Sequence, residues 1–99
     1  MVEVRQTYAF SKWFATLRDL SARARIDIRI RRLSLGNPGD VRPLGVGVSE
    51  LRVDYGPGYR IYFCRVGGAV VVLLCGGDKR GQERDIARAR LLAQQLKER

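Results

Sequence analysis

A length of 99 residues, 45% of them hydrophobic, supplies one core and leaves no room for a second, so a single domain over residues 1–99 is expected. Nineteen Lys plus Arg against 10 Asp plus Glu give a net charge of +9, which points to a polyanionic partner rather than a small neutral substrate. The absence of histidine and the spacing of the two cysteines argue against a metal site and a disulfide framework, no cofactor is implied, and the longest apolar run, residues 69–75, is too short to span a bilayer.

Taken in chain order, residues 2–9 alternate weakly and read as a strand. Glu3 and the lack of an uninterrupted apolar run before Ser11 argue against a signal peptide, so a cytoplasmic location is expected. Ser11 suits the N-cap of a helix with Trp13, Phe14, Leu17 and Leu20 on its inner face. Residues 21–35 support two readings. Arg25-Ile26-Asp27-Ile28-Arg29-Ile30-Arg31 alternates like a strand, whereas Ala22, Ile26, Ile30 and Leu33 make a helical stripe opposite Arg25, Arg29 and Arg32. The Ala-Arg-rich start and the terminal Gly36-Asn37 favour the helix.

Short strands are expected at 41–44, 48–55, 59–66 and 69–75, the last buried on both faces at the centre of a sheet. The run Gly76-Gly77-Asp78-Lys79-Arg80-Gly81 should break it. A closing helix over 82–97 turns Ile86, Ala89, Ala93 and Leu96 inward, with Glu83 and Asp85 at the positive end of its dipole. Cys64 and Cys75 fall on opposite arms of a hairpin turned at Gly67-Gly68, with Cys64 facing a residue near Val71, so both read as buried thiols. The fold class is α+β: a mainly antiparallel sheet with an N-terminal helical hairpin and a C-terminal helix.

The most informative segment is the hairpin around Gly56-Pro57-Gly58. If its turn is symmetric about Gly56, Arg52 and Arg60 stand opposite each other on one face. Like charges so placed cost stability unless an anion lies between them. That anion is either a neighbouring carboxylate, with Glu50 and Asp54 two residues to either side of Arg52, or a phosphate brought by a ligand. Only Lys12, Lys79 and Lys97 of the 19 basic residues are lysine. Arginine's rigid fork suits bidentate phosphate recognition, although a GC-rich genome gives the same bias.

The series Arg42-Pro43-Leu44-Gly45, Glu50-Leu51-Arg52, Gly58-Tyr59-Arg60 and Gly76-Gly77-Asp78-Lys79, in that order between a helical hairpin and a closing helix, resembles the RelE/ParE toxin superfamily, and within it the HigB-like addiction-module killer proteins. The resemblance covers nearly the whole chain and implies a helix at 21–35. It also implies a type II toxin with a cognate antitoxin protein, of helix-turn-helix type in the HigB branch. RelE-like and HigB-like members cut messenger RNA at the ribosome without a metal ion. ParE-like members poison DNA gyrase on the same fold.

By position the family's basic residues correspond to Arg52, Arg60 and Lys79, with Arg42 and Arg80 as further phosphate contacts. Fixed cations there would stabilise the charge that builds when a ribose 2′-hydroxyl attacks the adjacent phosphate. The histidine or late tyrosine that serves several relatives in proton transfer is absent here. The candidates that remain are Lys79 with a lowered pKa, Tyr55 or Tyr59 as an acid, and Glu50 or Asp54 as a base. Three functions are open on these residues: a ribosome-dependent endoribonuclease, which the intact basic triplet favours, a gyrase inhibitor, and a non-catalytic antitoxin- or nucleic-acid-binding relative.

Overall fold

The computed structural model describes residues 2–98. Its elements run β1 (Glu3–Gln6), α1 (Tyr8–Thr16), α2 (Leu20–Ser34), β2 (Val41–Gly45), β3 (Val48–Val53), β4 (Tyr59–Val66), β5 (Val70–Asp78), a single 3-10 turn (Lys79–Gly81) and α3 (Gln82–Lys97). The five strands form one sheet in the order β1-β5-β4-β3-β2, with β1 parallel to β5 and every other pair antiparallel. The α+β class, the helical hairpin and the closing helix are as the sequence predicts.

Because successive strand residues point to opposite faces, the sheet sorts its side chains into two cores. Leu51, Val53, Ile61, Phe63, Val71 and Leu73 pack with Phe10, Ile26 and Leu33 under α1 and α2. Val48, Tyr62, Cys64, Val72, Leu74 and Cys75 pack with Ala89 and Ala93 of α3 on the other side. A bulge between Tyr62 and Phe63 keeps both Leu74 and Cys75 on the α3 side. Cys64 lies opposite Val72, one residue from the expected register, and both cysteines are buried and free. Burial pushes the Cys75 thiol up to about 11, so it stays protonated.

Besides β3 ending at Val53 rather than at residue 55, three boundaries differ from the sequence reading. The first strand ends at Gln6 and α1 begins at Tyr8, capped by Thr7 rather than Ser11. Thr7 Oγ1 accepts from the Phe10 N–H at 3.1 Å and donates to the Leu74 carbonyl at 2.6 Å. A cap that also ties the helix to β5 outcompetes an equally good residue four positions on. Leu20 does not join the inner face of α1: it opens α2, behind an Asp19 cap that accepts from the Ser21 and Ala22 N–H groups, and it is exposed. Residues 21–35 are helical, as the resemblance implies, with Ala22, Ile26 and Leu33 buried.

The third difference shapes the site. β5 does not stop at Gly76. It continues through Gly77 to Asp78, opposite Ile61, Arg60 and Tyr59. Glycine here serves close approach and not a turn: a Cβ on Gly76 would lie 2.3 Å from the Trp13 ring, and one on Gly77 2.0 Å from the Asp85 carboxylate. Trp13 and Asp85 thus lie against opposite faces of the same two residues, and the strand reaches far enough to bring Lys79 beside Gly58.

Gly76→Ala should therefore overpack the contact with Trp13 and cost about 2–3 kcal/mol, lowering the melting temperature by roughly 10 °C. Thermal denaturation followed by circular dichroism measures this. An unchanged melting temperature would contradict the close-approach explanation.

Candidate functional site

The hairpin of β3 and β4 turns through Gly56 and Gly58, both at positive φ. Its register sets Arg52 opposite Arg60 and Glu50 opposite Tyr62. By the alternation of the strand, Val48, Glu50, Arg52, Arg60 and Tyr62 share the α3 face. The like-charged pair is resolved by two different carboxylates.

Glu50 is fully buried. Its Oε1 accepts from Arg60 Nη1 at 3.0 Å and lies 3.7 Å from Arg42 Nη2, while its Oε2 accepts from Gln82 Nε2, at the start of α3, at 3.0 Å. Arg60 is itself 13% exposed. Taking a carboxylate out of water is costly unless it is paired and hydrogen-bonded, and here both of its oxygens have partners.

Arg52 is paired instead with Asp40, whose Oδ1 accepts from Arg52 Nη2 at 2.9 Å and Nε at 3.3 Å. This pair is open to solvent, at 40% and 53% exposure. The hydrogen bond and charge of Asp40 raise the Arg52 pKa further above neutrality. Asp40 is held in place by Arg29 of α2, which donates to the carbonyls of Pro38, Asp40 and Arg52. Gly39, at positive φ, lets that guanidinium lie against the loop, since a Cβ there would meet Arg29 at 3.0 Å.

Arg52, Arg60 and Lys79 line one open cleft of about 340 Å³ together with Asp40, Asp54 and Tyr59. Tyr59 leans edge-on against Trp13, ring centroids 6.3 Å apart. Burial and then the negative charges of Asp19 and Asp78 raise its pKa, so its phenol remains protonated at neutral pH.

The other residues singled out in the sequence lie elsewhere. Tyr55 is turned towards α2, its hydroxyl donating to Asp19 Oδ2 at 3.1 Å and its ring under the Arg25 guanidinium at 4.5 Å. Arg80 is drawn to Asp78, which accepts from the Arg80 backbone N–H at 2.9 Å and from its side chain at 3.2 Å. These bonds hold the Asp78 carboxyl below the usual carboxylate range. Arg42 stands at the rim, beyond Glu50.

Sequence reasoning missed Asp40, Gln82 and Arg29. Each acts across a long stretch of chain, and none lies at a spacing that announces its partner. Asp85, read in the sequence only as a first-turn acid of α3, is buried against Gly77, and burial raises its pKa above the usual carboxylate range. Among the described residues no cluster of ligands suits a metal ion. Two buried donors, Arg60 Nε and the Tyr62 hydroxyl, make no hydrogen bond in the structure. Arg52, Arg60 and Lys79 thus set three cationic side chains on the lining of one cleft, together with Asp40, Asp54 and Tyr59.

Residues 12–97 match the family described as phage-derived protein Gp49-like (DUF891). The chain is also similar to an uncharacterized protein of Haemophilus influenzae, 46% identical over 95 residues that cover 96% of each chain. No solved structure matches.

Removing Glu50 would leave Arg60 buried without its counter-charge. Glu50→Ala is expected to cost about 3 kcal/mol or more in urea denaturation. A loss below about 1 kcal/mol, the range of a surface pair, would show that the Glu50 network is not structural.

Proposed function

We propose that this chain, which belongs to the phage-derived Gp49-like family, a toxin-like family related to the RelE-type toxins, is the toxin of a type II toxin–antitoxin pair. Within that class we assign it to the HigB-like, ribosome-dependent endoribonucleases, acting in the cytoplasm on messenger RNA and held in check by an antitoxin protein of helix-turn-helix type. The observation that supports this most is the convergence of Arg52, Arg60 and Lys79 on one cleft, with Arg60 fixed from behind by a buried carboxylate.

In this reading the scissile phosphate lies between the two arginines. The ribose 2′-hydroxyl attacks phosphorus, the bond to the 5′-oxygen breaks, and the products are a 2′,3′-cyclic phosphate and a 5′-hydroxyl. Arg60 needs no reorganisation to meet the charge on the non-bridging oxygens, which is where a preorganised cation is most effective. Arg52 exchanges Asp40 for the phosphate, an exchange that a solvent-exposed ion pair permits at little cost. Lys79 adds a point charge from the end of β5.

Proton transfer falls to the groups in the cleft. Asp54 takes the proton from the 2′-hydroxyl, and Tyr59, kept protonated by its surroundings, gives one to the departing 5′-oxygen. Glu50 orients Arg60 rather than acting as a base, because both its oxygens already accept hydrogen bonds. Arg42 and Arg80 contact flanking phosphates at the rim, and Tyr55 takes no part in the chemistry.

Arg52→Ala and Lys79→Ala are each expected to slow cleavage of messenger RNA on translating ribosomes by about a hundredfold. Arg60→Lys preserves the charge opposite Glu50 but loses the fork, and should lose a comparable amount. Primer extension on a reporter transcript after induction reads these losses. Full cleavage by all three variants would remove the site, whereas intact messenger RNA with gyrase-linked DNA breaks would assign the chain to the ParE-like gyrase poisons.

A further inference from the structure

Besides the stripe that faces the sheet, α2 carries a second apolar stripe on its outer side. Leu20, Ala24 and Ile28 recur along that side and Leu35, at the helix C-cap, extends the line, with Arg31 in the remaining gap. At about 100° per residue these positions fall within one sector of the helix roughly 80° wide and about 22 Å long. Leu20, Ile28 and Leu35 are 78%, 58% and 57% exposed. Three of the large exposed apolar side chains of the protein thus lie in a single line, which scattered surface hydrophobics do not do.

The charges around the stripe say what covers it. Arg31 within it, and Arg25 and Arg32 along one edge, form no ion pair among the described residues. Asp27, on the opposite edge, is the one acid beside it. A second copy of this chain, docked by twofold symmetry, would bring the arginines of both helices together across the contact. An apolar seam between arginines matches a helix with apolar residues at every third and fourth position and glutamate or aspartate flanking them.

We infer that the outer face of α2 is the docking surface for an acidic amphipathic helix of the partner protein. The inference deepens the toxin–antitoxin reading by giving the chemistry of the antitoxin's contact, and it rests on that reading for the existence of such a partner. At one edge of the stripe Arg25 is held over the Tyr55 ring, its guanidinium 4.5 Å from the ring centroid.

The test uses the full chain and two synthetic helical peptides with leucines in that spacing, one flanked by glutamates and the other by lysines. Wild type should bind the glutamate peptide at least about tenfold more tightly than the lysine peptide, with affinity falling as salt rises. Ile28→Glu should weaken that binding about tenfold or more, while Leu91→Glu, at an exposed apolar position on α3, should leave it unchanged. Equal binding by wild type and Ile28→Glu, or none by wild type, overturns the inference. Dimerisation of wild type that Ile28→Glu abolishes would assign the face to a second copy instead. Messenger RNA cleavage by Ile28→Glu is measured in parallel: its persistence with lost peptide binding supports the docking surface. Absence of cleavage by wild type strikes at the toxin reading and not at the peptide result.

Discussion

The carboxylate of Glu50 is the constraint around which the site is built. Two arginines directly opposite each other on neighbouring strands repel, and one of them, Arg60, is largely out of water. Glu50, buried between β3, β4 and the start of α3, makes that arrangement stable by holding Arg60 and Gln82 at once. The same bonds that stabilise the hairpin leave Arg60 in one orientation. Arg52 is treated differently, since its carboxylate partner Asp40 comes from an exposed loop and the pair is open to solvent. The pair thus has one arm braced by a buried carboxylate and one arm paired at the surface, and in the proposed phosphate cleft the braced arm is the preorganised donor.

The rest of the fold delivers the remaining groups to this pair. β5 runs two residues past the point where glycines would ordinarily end a strand, because Trp13 and Asp85 pack against Gly76 and Gly77 from either side. That extension carries Lys79 to the cleft and starts α3 where Gln82 can reach Glu50. On the other side Arg29 of α2 fastens the loop that presents Asp40. Both helical layers therefore act on the site, α3 through Glu50 and α2 through Asp40.

Much of this was legible in the sequence where local rules decide the outcome. The turn residues and period-two alternation of β3 and β4 fix Arg52 opposite Arg60, and the β4 and α3 boundaries follow from the same kind of signal. α2 was not legible by period, because Arg and Ile alternate through its middle while also repeating at helical spacing. Burial of Ala22, Ile26 and Leu33 decides between the two. The N-cap at Thr7 and the continuation of β5 depend on contacts with Leu74, Trp13 and Asp85, which no local rule foresees. The carboxylate partner of Arg52 was unreadable for the same reason: Asp54, its near neighbour, faces the cleft, whereas Asp40 arrives from a loop positioned by Arg29.

If the Glu50-braced arginine pair is a phosphate site that breaks the RNA backbone, every cut leaves a free 5′-hydroxyl. Transcriptome-wide sequencing of 5′-hydroxyl ends after induction of the wild-type chain reads those cuts. New 5′-hydroxyl ends are expected only in translated reading frames, at a constant offset within ribosome-protected fragments. Growth arrest with no new 5′-hydroxyl ends, or with ends spread equally over untranslated RNA, would contradict that reading.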